Sequence, residues 1–264
     1  SYNHPNLQQI PSRGQFADSV RKLFIPEMGE YWLKADYSQQ EPRLLTHFAR
    51  LVNMSGSKEV QEAYQKEDLD FHQQTADMAG IERKLAKTIG LGVIYGMGYH
   101  KLARELDMEP QAAKTMMNSF HDKVPFMKGM LNAVMSRAND KGIIRTLLGR
   151  KCRFELWEPS SFGVHRPLPL NQAQTEYGMA IKRAFTYKAL NRLIQGSAAD
   201  QTKKAMVEVY EQLGVTPLIQ VHDELDCSVK NEKEGKQIKE VMETCVELKV
   251  PSKVDTYLGE SWGG

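Results

Sequence analysis

Strand-like sequence stands at the two ends of this chain and helical periodicity fills most of what lies between, an arrangement that few folds accommodate. "EYWLKADYS", residues 30–38, is aromatic and apolar and carries an acid near its end. "TPLIQVHDELDCSVK", residues 216–230, reads as two strands around an acidic turn. Between them, apolar spacing predicts helices over 40–53, 59–79, 82–98, 99–107, 110–121 and 126–141, with Pro110 and Pro125 at helix boundaries. "GIIRTLLGRKCRFEL" predicts a hairpin turning near Gly149. The proline-rich stretch 158–170 reads as an irregular loop, 171–213 as helix, 232–247 as an amphipathic helix, and 1–30 as loop and short strands. The fold class expected is α+β, an antiparallel sheet interrupted by a mostly helical insertion.

Composition narrows the function. The 264 residues are 41% hydrophobic and 26% charged, enough for a substantial core. Apolar runs stay short of membrane-spanning length, so no membrane partner is expected. The three cysteines are too scattered for a disulfide framework, which points to a reducing cytoplasm. No signal peptide opens the chain, and its start at Ser1 suggests a fragment. A net charge of +2 hides two basic runs: Lys141, Arg145, Arg150, Lys151 and Arg153 stand without an acid, and residues 182–204 hold six cations against Asp200 alone. Each run alone reads as a solvated face; two in a near-neutral chain point to a polyanion partner.

The acids are harder to absorb into a core. Asp36 ends an apolar strand, and Asp223 and Glu224 sit at the tip of another. Burying a carboxylate there is costly unless a cation or donor meets it. Each acid alone reads as a turn or cap residue. Together, with cationic runs elsewhere, they fit a divalent metal site: Mg²⁺ takes one or two carboxylates and leaves other positions to water and phosphates. Two such ions serve in-line displacement at phosphorus.

"RKLAKTIGLGVIYG", residues 83–96, adds a second pole. Residues four apart share a helix face, so Arg83, Lys87, Leu91 and Tyr95 form one ridge about 18 Å long. Its cations lie near the helix N-terminus, where the dipole favours phosphates, and its far end suits a sugar and base. The glycines at 90, 92 and 96 are expected to let a flat base pair approach that end.

These segments together resemble family A DNA polymerases. "DYSQQEPR" resembles the family's first motif, "RKLAKTIGLGVIYG" the second and "QVHDEL" the third, with "HPNLQQIPSRG", "RTLLGRK" and "NRLIQGSAAD" as supporting stretches. The order and spacing match over essentially the whole chain. The resemblance implies palm in 1–50 and 142–264, helical fingers in 51–141, and the thumb and exonuclease missing, to be supplied by the rest of a parent polymerase, such as that of a bacteriophage acting in bacterial cytoplasm. It implies two Mg²⁺ ions held by Asp36 and Asp223 with the Tyr37 carbonyl, Glu224 close by, and primer-template DNA and deoxynucleoside triphosphates as partners. His72, Arg83 and Lys87 would contact the incoming triphosphate, while Gln39, Leu91 and Tyr95 belong to the same nucleotide site. Glu41 would pair with Tyr95 and crowd the sugar's 2′ position. Asn6, Gln8, Arg13, Asn191, Gln195 and His222 would hold primer and template, and amides there can test minor-groove acceptors without reading sequence.

The sequence departs from the pattern at several points. Gln40 and Pro42 replace apolar residues, and Pro42 requires the first turn of a helix. Gly90 stands in place of asparagine, and Leu91 in place of an aromatic residue. The rivals are a single-subunit RNA polymerase, which Glu41 argues against, a metal-dependent phosphohydrolase, which lacks a second well-spaced histidine, and a DNA-binding remnant without catalysis, which Asp36 and Asp223 argue against.

Overall fold

A computed structural model describes residues 10–11, 14–66, 69–161, 163 and 165–264. Helix α1 (Ala17–Arg21) precedes strand β1 (Tyr31–Tyr37), followed by α2 (Gln40–Leu51), α3 (Ser57–Lys66), α4 (Phe71–Ala79), α5 (Arg83–Ile94), α6 (Tyr99–Glu105), α7 (Pro110–Lys123) and α8 (Pro125–Lys141). Then come β2 (Ile143–Arg145), β3 (Lys151–Arg153), β4 (Leu156–Pro159), β5 (Leu168–Pro169), α9 (Leu170–Tyr177) and β6 (Ile181–Arg183). Last in order are α10 (Ala189–Leu213), β7 (Ile219–Val221), β8 (Glu224–Val229), α11 (Glu232–Thr244) and β9 (Val254–Gly259). The α+β class holds. The residues form two compact units, one of the chain up to Arg43 with Ala198–Gly264, the other of Leu44–Ser197.

The first unit is built on a sheet of order β7-β8-β1-β9 with every neighbouring pair antiparallel. Alternation along β1 sends Leu33, Ala35 and Tyr37 to one face, where Leu225, Cys227, Val229 and Val254 join them. Ile238, Val241 and Met242 of α11 and Ala205 and Val209 of α10 close that core. Each fully buried Leu or Val of this set contributes about 1.5–3 kcal/mol of apolar transfer. Helix α11 starts where Asn231 accepts the N–H of Glu234. The other face carries Trp32, Lys34 and Asp36 by the same period of two. Trp32 packs there with Ile219 and Trp262.

The second unit is mainly helical, with a two-stranded sheet β2-β3 and a three-stranded sheet β5-β4-β6. Several boundaries differ from the sequence reading. The helix expected over 59–79 is two, because Asp70 caps a new start by accepting the N–H groups of His72 and Gln73. The helix expected over 171–213 is also two: α9 stops at Tyr177, where Gly178 takes φ +75°, and β6 intervenes before α10. The expected loop 158–170 contains the end of β4 and all of β5. Among the described residues before 31 there is a helix, α1, and no strand. The hairpin at Gly149 is present, closed by Thr146 N–H donating to Arg150 C=O at 3.0 Å. Strand β9 went unread in the sequence, since its exposed run Asp255–Tyr257 blurs the alternation.

Candidate active site

In the sheet unit, register alone brings acids together. Asp36 lies opposite Glu224 on β8 and opposite Asp255 on β9. The Tyr37 N–H donates to the Asp223 carbonyl at 3.3 Å, tying the two strand ends that carry the predicted metal acids. Asp223 sits in a two-residue β7–β8 turn whose other member, His222, has φ +54°, the left-handed backbone such turns require. Gln39, three residues after Asp36, has φ +53°. Non-glycine residues held in this region carry strain, and such strain concentrates at ligand sites.

Like charges opposite one another on neighbouring strands are destabilising. Desolvation by the surrounding sheet, then the charges of Asp223, Glu224 and Asp255, push the Asp36 carboxyl up to about 7. The Asp36 side chain still reaches solvent, which weakens both causes. Asp223 is raised as well, by burial first and by Glu224, against its own backbone N–H and His222. Below them, Asp226 is raised to about 8 by burial and by Glu224. Two tryptophans cap this acid column: Trp32 Nε1 donates to Asp226 Oδ1, and Trp262 Nε1 to Glu224 Oε1, both at 3.0 Å. Asp226 Oδ2 is buried without a donor.

Carboxyls at the rim so crowded that one titrates near neutrality fit a divalent cation, which removes the repulsion when it binds. Among the described residues no three His, Cys, Asp or Glu side chains converge to cage an ion alone.

The helical unit carries a cationic ridge of its own. Arg83 and Lys87 are exposed on α5, Leu91 is half-buried, and Tyr95, just past the helix end, is 44% exposed. The expected ridge is therefore present. Its glycines act differently from expectation: Gly90 and Gly92 are buried, and Gly96, at φ +70°, ends the helix with its Cα close to the Tyr187 carbonyl, where a Cβ would lie 2.7 Å from that oxygen. They permit close packing and a sharp stop rather than opening a path for a base pair. Arg83 Nε donates to Asp70 Oδ2 at 2.7 Å. Partial desolvation opposes it, yet the Arg83 hydrogen bond and the N–H groups of Gln73 and His72 hold the Asp70 carboxyl below its ordinary value. Burial and the charge of Lys87 push the His72 imidazole down, so it is neutral near pH 7, and its buried Nδ1 has no hydrogen-bond partner.

In the same unit, Asn191 and Gln195 are i, i+4 neighbours on α10. The hairpin with the basic run docks beside them: Arg150 Nη2 donates to the Gly196 carbonyl at 2.7 Å, and the Leu147 N–H to Ser197 Oγ at 3.0 Å. Arg192 donates to the Arg153 carbonyl and stacks on Phe154. The structure thus joins "RTLLGRK" and "NRLIQGSAAD" into one basic surface. Asn6, Gln8 and Arg13 lie outside the described residues. Pro42 occupies the first turn of α2, as its chemistry demands, with Glu41 beside it. Asp255, Asp226 and Asp70 escaped the sequence reading; continuing the two-residue alternation past Glu224 would have exposed Asp226.

The sequence profile of DNA polymerase family A matches residues 1–264. The chain is 38% identical to the DNA-directed DNA polymerase of Pseudomonas phage M6, an alignment covering all of this chain and 43% of that protein. It is 32% identical to the thermostable DNA polymerase I of Thermus aquaticus over 99% of this chain and 30% of that one. The POL domain of Pol1 from M. smegmatis, in complex with DNA primer-template and dNTP, superposes with a TM-score of 0.80 at 30% identity, over 99% of this chain and 45% of that one. This chain spans less than half the length of these relatives.

Proposed function

This chain belongs to DNA polymerase family A, and from that premise we propose that it carries the nucleotidyl-transfer site of a template-directed DNA polymerase, adding deoxynucleotides to a primer 3′ end. The observation that carries the reading is the acid register: Asp36 between Glu224 and Asp255, bonded through Tyr37 to Asp223. The sheet-bearing segments 1–50 and 142–264 serve as palm and 51–141 as fingers. Asp36, Asp223 and the Tyr37 carbonyl would hold divalent ions, two Mg²⁺ in our reading. When bound, these supply charge neutralisation for the attacking 3′ oxygen and the departing pyrophosphate.

The remaining roles fall to the chain itself. Arg83 and Lys87 offset the triphosphate charge from the N-terminal part of α5, where the helix dipole adds to them. His72 supplies a neutral imidazole that can donate to a phosphate oxygen while leaving the local charge unchanged. Leu91 and Tyr95 offer the base and sugar an apolar wall, and Gln39 lines the nucleotide site from the β1–α2 turn. Glu41 would exclude a 2′-hydroxyl. Glu224 stays close to the ions without being a ligand. Asn191, Gln195 and His222 hold primer and template, supported by the basic hairpin surface, and Asn6, Gln8 and Arg13 add to that grip.

Similarity to phage and bacterial polymerases supports work in bacterial cytoplasm and partnership with the rest of a longer polymerase. No described helix is long and apolar enough to cross a membrane. Primer extension tests the reading: the full-length protein should extend a primed template by the complementary deoxynucleotide only when Mg²⁺ is present. Tight primer-template binding with no metal-dependent extension would overturn it in favour of a DNA-binding remnant, and preference for ribonucleotides in favour of an RNA polymerase.

A further inference from the structure

The first turn of α2 is gripped from two sides by buried polar side chains. Gln40, 6% exposed, directs Nε2 at the Ala198 carbonyl (3.4 Å), at Gln201 Oε1 (3.3 Å) and at Thr202 Oγ1 (3.2 Å). Gln201, 1% exposed, passes the chain on by donating from Nε2 to Ser252 Oγ at 2.9 Å. On the other flank, buried Arg43 donates from Nε to the Ser38 carbonyl at 2.9 Å and from Nη1 to the Pro251 carbonyl at 2.7 Å. The Ser38 N–H donates to the Lys253 carbonyl at 2.9 Å. Residues 251, 252 and 253 therefore each receive a hydrogen bond, directly or through Gln201, from the stretch Ser38–Arg43. That stretch holds Gln39, in its left-handed backbone, and Glu41.

A buried amide is tolerated only with its partners in place, and losing one leaves the other desolvated and unpaired. An apolar side chain at position 40 could rotate or slide with little penalty. An amide chain sets direction as well as distance, because hydrogen bonds weaken steeply off line. Gln40 immediately precedes Glu41, and Arg43 lies two residues after it, so the two anchors bracket the acid on a single helical turn.

We propose that the Gln40–Gln201–Ser252 chain, with Arg43 on the opposite flank, is a positioning network that fixes the first turn of α2 and so sets how strictly the polymerase rejects ribonucleotides. The proposal rests on the reading of Glu41 as the group that excludes the 2′-hydroxyl. Gln201 acts through Gln40: its side chain accepts from Gln40 Nε2 and donates to Ser252 Oγ.

The test uses the full-length protein with Mg²⁺ and compares single-turnover efficiency for a deoxynucleotide and its ribonucleotide. Gln201→Leu should lower the deoxy/ribo ratio by about tenfold, the scale of leaving a buried amide unpaired. Primer-template affinity should stay the same, and amide hydrogen exchange at Glu41 and Arg43 should quicken. Gln40→Leu combined with Gln201→Leu should lower the ratio at least as far as Gln201→Leu alone, because an apolar pair can slide where the amide chain cannot. Val241→Ala, on α11 in the apolar core and outside the hydrogen-bond chain, should reduce thermal stability without moving the ratio. If Gln201→Leu does not fold, Ser252→Ala removes only the last acceptor and should move the ratio in the same direction by less. An unchanged ratio in the network variants beside a lowered ratio in Glu41→Ala overturns the network and leaves Glu41 in place. An unchanged ratio in Glu41→Ala overturns the reading of Glu41, and the network's control of sugar choice with it.

Discussion

The acid face of the sheet and the cationic ridge of α5 treat their charges in opposite ways. On the sheet, Asp36 stands between two acids in register, and desolvation together with that crowding lifts its carboxyl to about 7. On α5, Arg83 rests on Asp70 at 2.7 Å, and Lys87 is exposed one turn away. One surface is in conflict with itself until a cation arrives. The other is comfortable alone, with a cation held in a surface ion pair worth at most about 1 kcal/mol and so easily redirected. Under the proposed function the difference separates two tasks: crowded carboxyls gain from a small hard cation that relieves their repulsion, whereas exposed cations in weak surface pairs suit a polyphosphate.

The largest expected effect breaks the acid side of that comparison. Asp36→Asn or Asp223→Asn should lower the incorporation rate by about 10³-fold or more at saturating nucleotide, because each removes a charge the metal requires. Primer-template affinity should change less than about twofold, since it rests on phosphate contacts elsewhere. A quench-flow assay beside a DNA-binding titration checks both. Near-normal turnover in either variant would show that these acids do not hold the metal.

Lys87→Ala breaks the cationic side. It should weaken nucleotide binding by about 10- to 100-fold, the loss of one or two charge-assisted hydrogen bonds to phosphate. Mg²⁺-dependent thermal stabilisation of the nucleotide-free protein should persist, because the acids are untouched. Asp70→Asn probes the same side from the opposite direction: freeing Arg83 should change nucleotide affinity by only a few-fold. Equal losses of metal response and nucleotide affinity in Lys87→Ala would contradict the division of labour between the two surfaces.

The sequence made the chemistry of both surfaces more legible than their surroundings. Asp36, Asp223, Arg83 and Lys87 stand in short motifs whose spacing follows from a period of two or of 3.6, so their faces could be read directly. Asp255 could not, because its neighbour is set by pairing between β1 and β9, strands more than 200 residues apart, and β9 lacks clean alternation. The glycines of this segment were visible as a departure from helix preference, but that Gly92 meets the nearby Met97 and Gly96 the distant Tyr187 is settled by packing that spacing alone does not show. Gln40 was likewise visible as a polar intruder among apolar positions. Its partners Gln201 and Ser252 only the fold could supply.

The self-conflict of the acid face should appear in stability. A carboxyl whose folded value is raised to about 7 from an ordinary 3.8 binds its proton more tightly when folded. The metal-free protein therefore loses stability as pH rises from about 4 to about 7, and the loss is complete above that window. The full shift corresponds to about 4 kcal/mol, which solvent access and screening at Asp36 reduce to about 1–2 kcal/mol. Denaturant melts without metal should show Asp36→Asn more stable than the parent at pH 8 and indistinguishable at pH 4. Mg²⁺ should stabilise the parent more at pH 8 than at pH 5, because it competes with the proton. A variant with no advantage at pH 8 would mean the crowding is relieved by water alone.

The smallest expected effect sharpens the ridge. Leu91 lies on the same face as Arg83 and Lys87, half-buried, where a base would meet the helix. A flat ring stacks on a base with about 1–3 kcal/mol, and leucine offers less flat contact. If that contact strengthens as the nucleotide reaches its reacting geometry, the gain shows in rate rather than in initial affinity. Leu91→Phe should then raise single-turnover incorporation by a few-fold while leaving nucleotide affinity nearly unchanged. An equal or lower rate would mean that Leu91 fills its space without stacking, and that the ridge acts on the nucleotide through its phosphates alone.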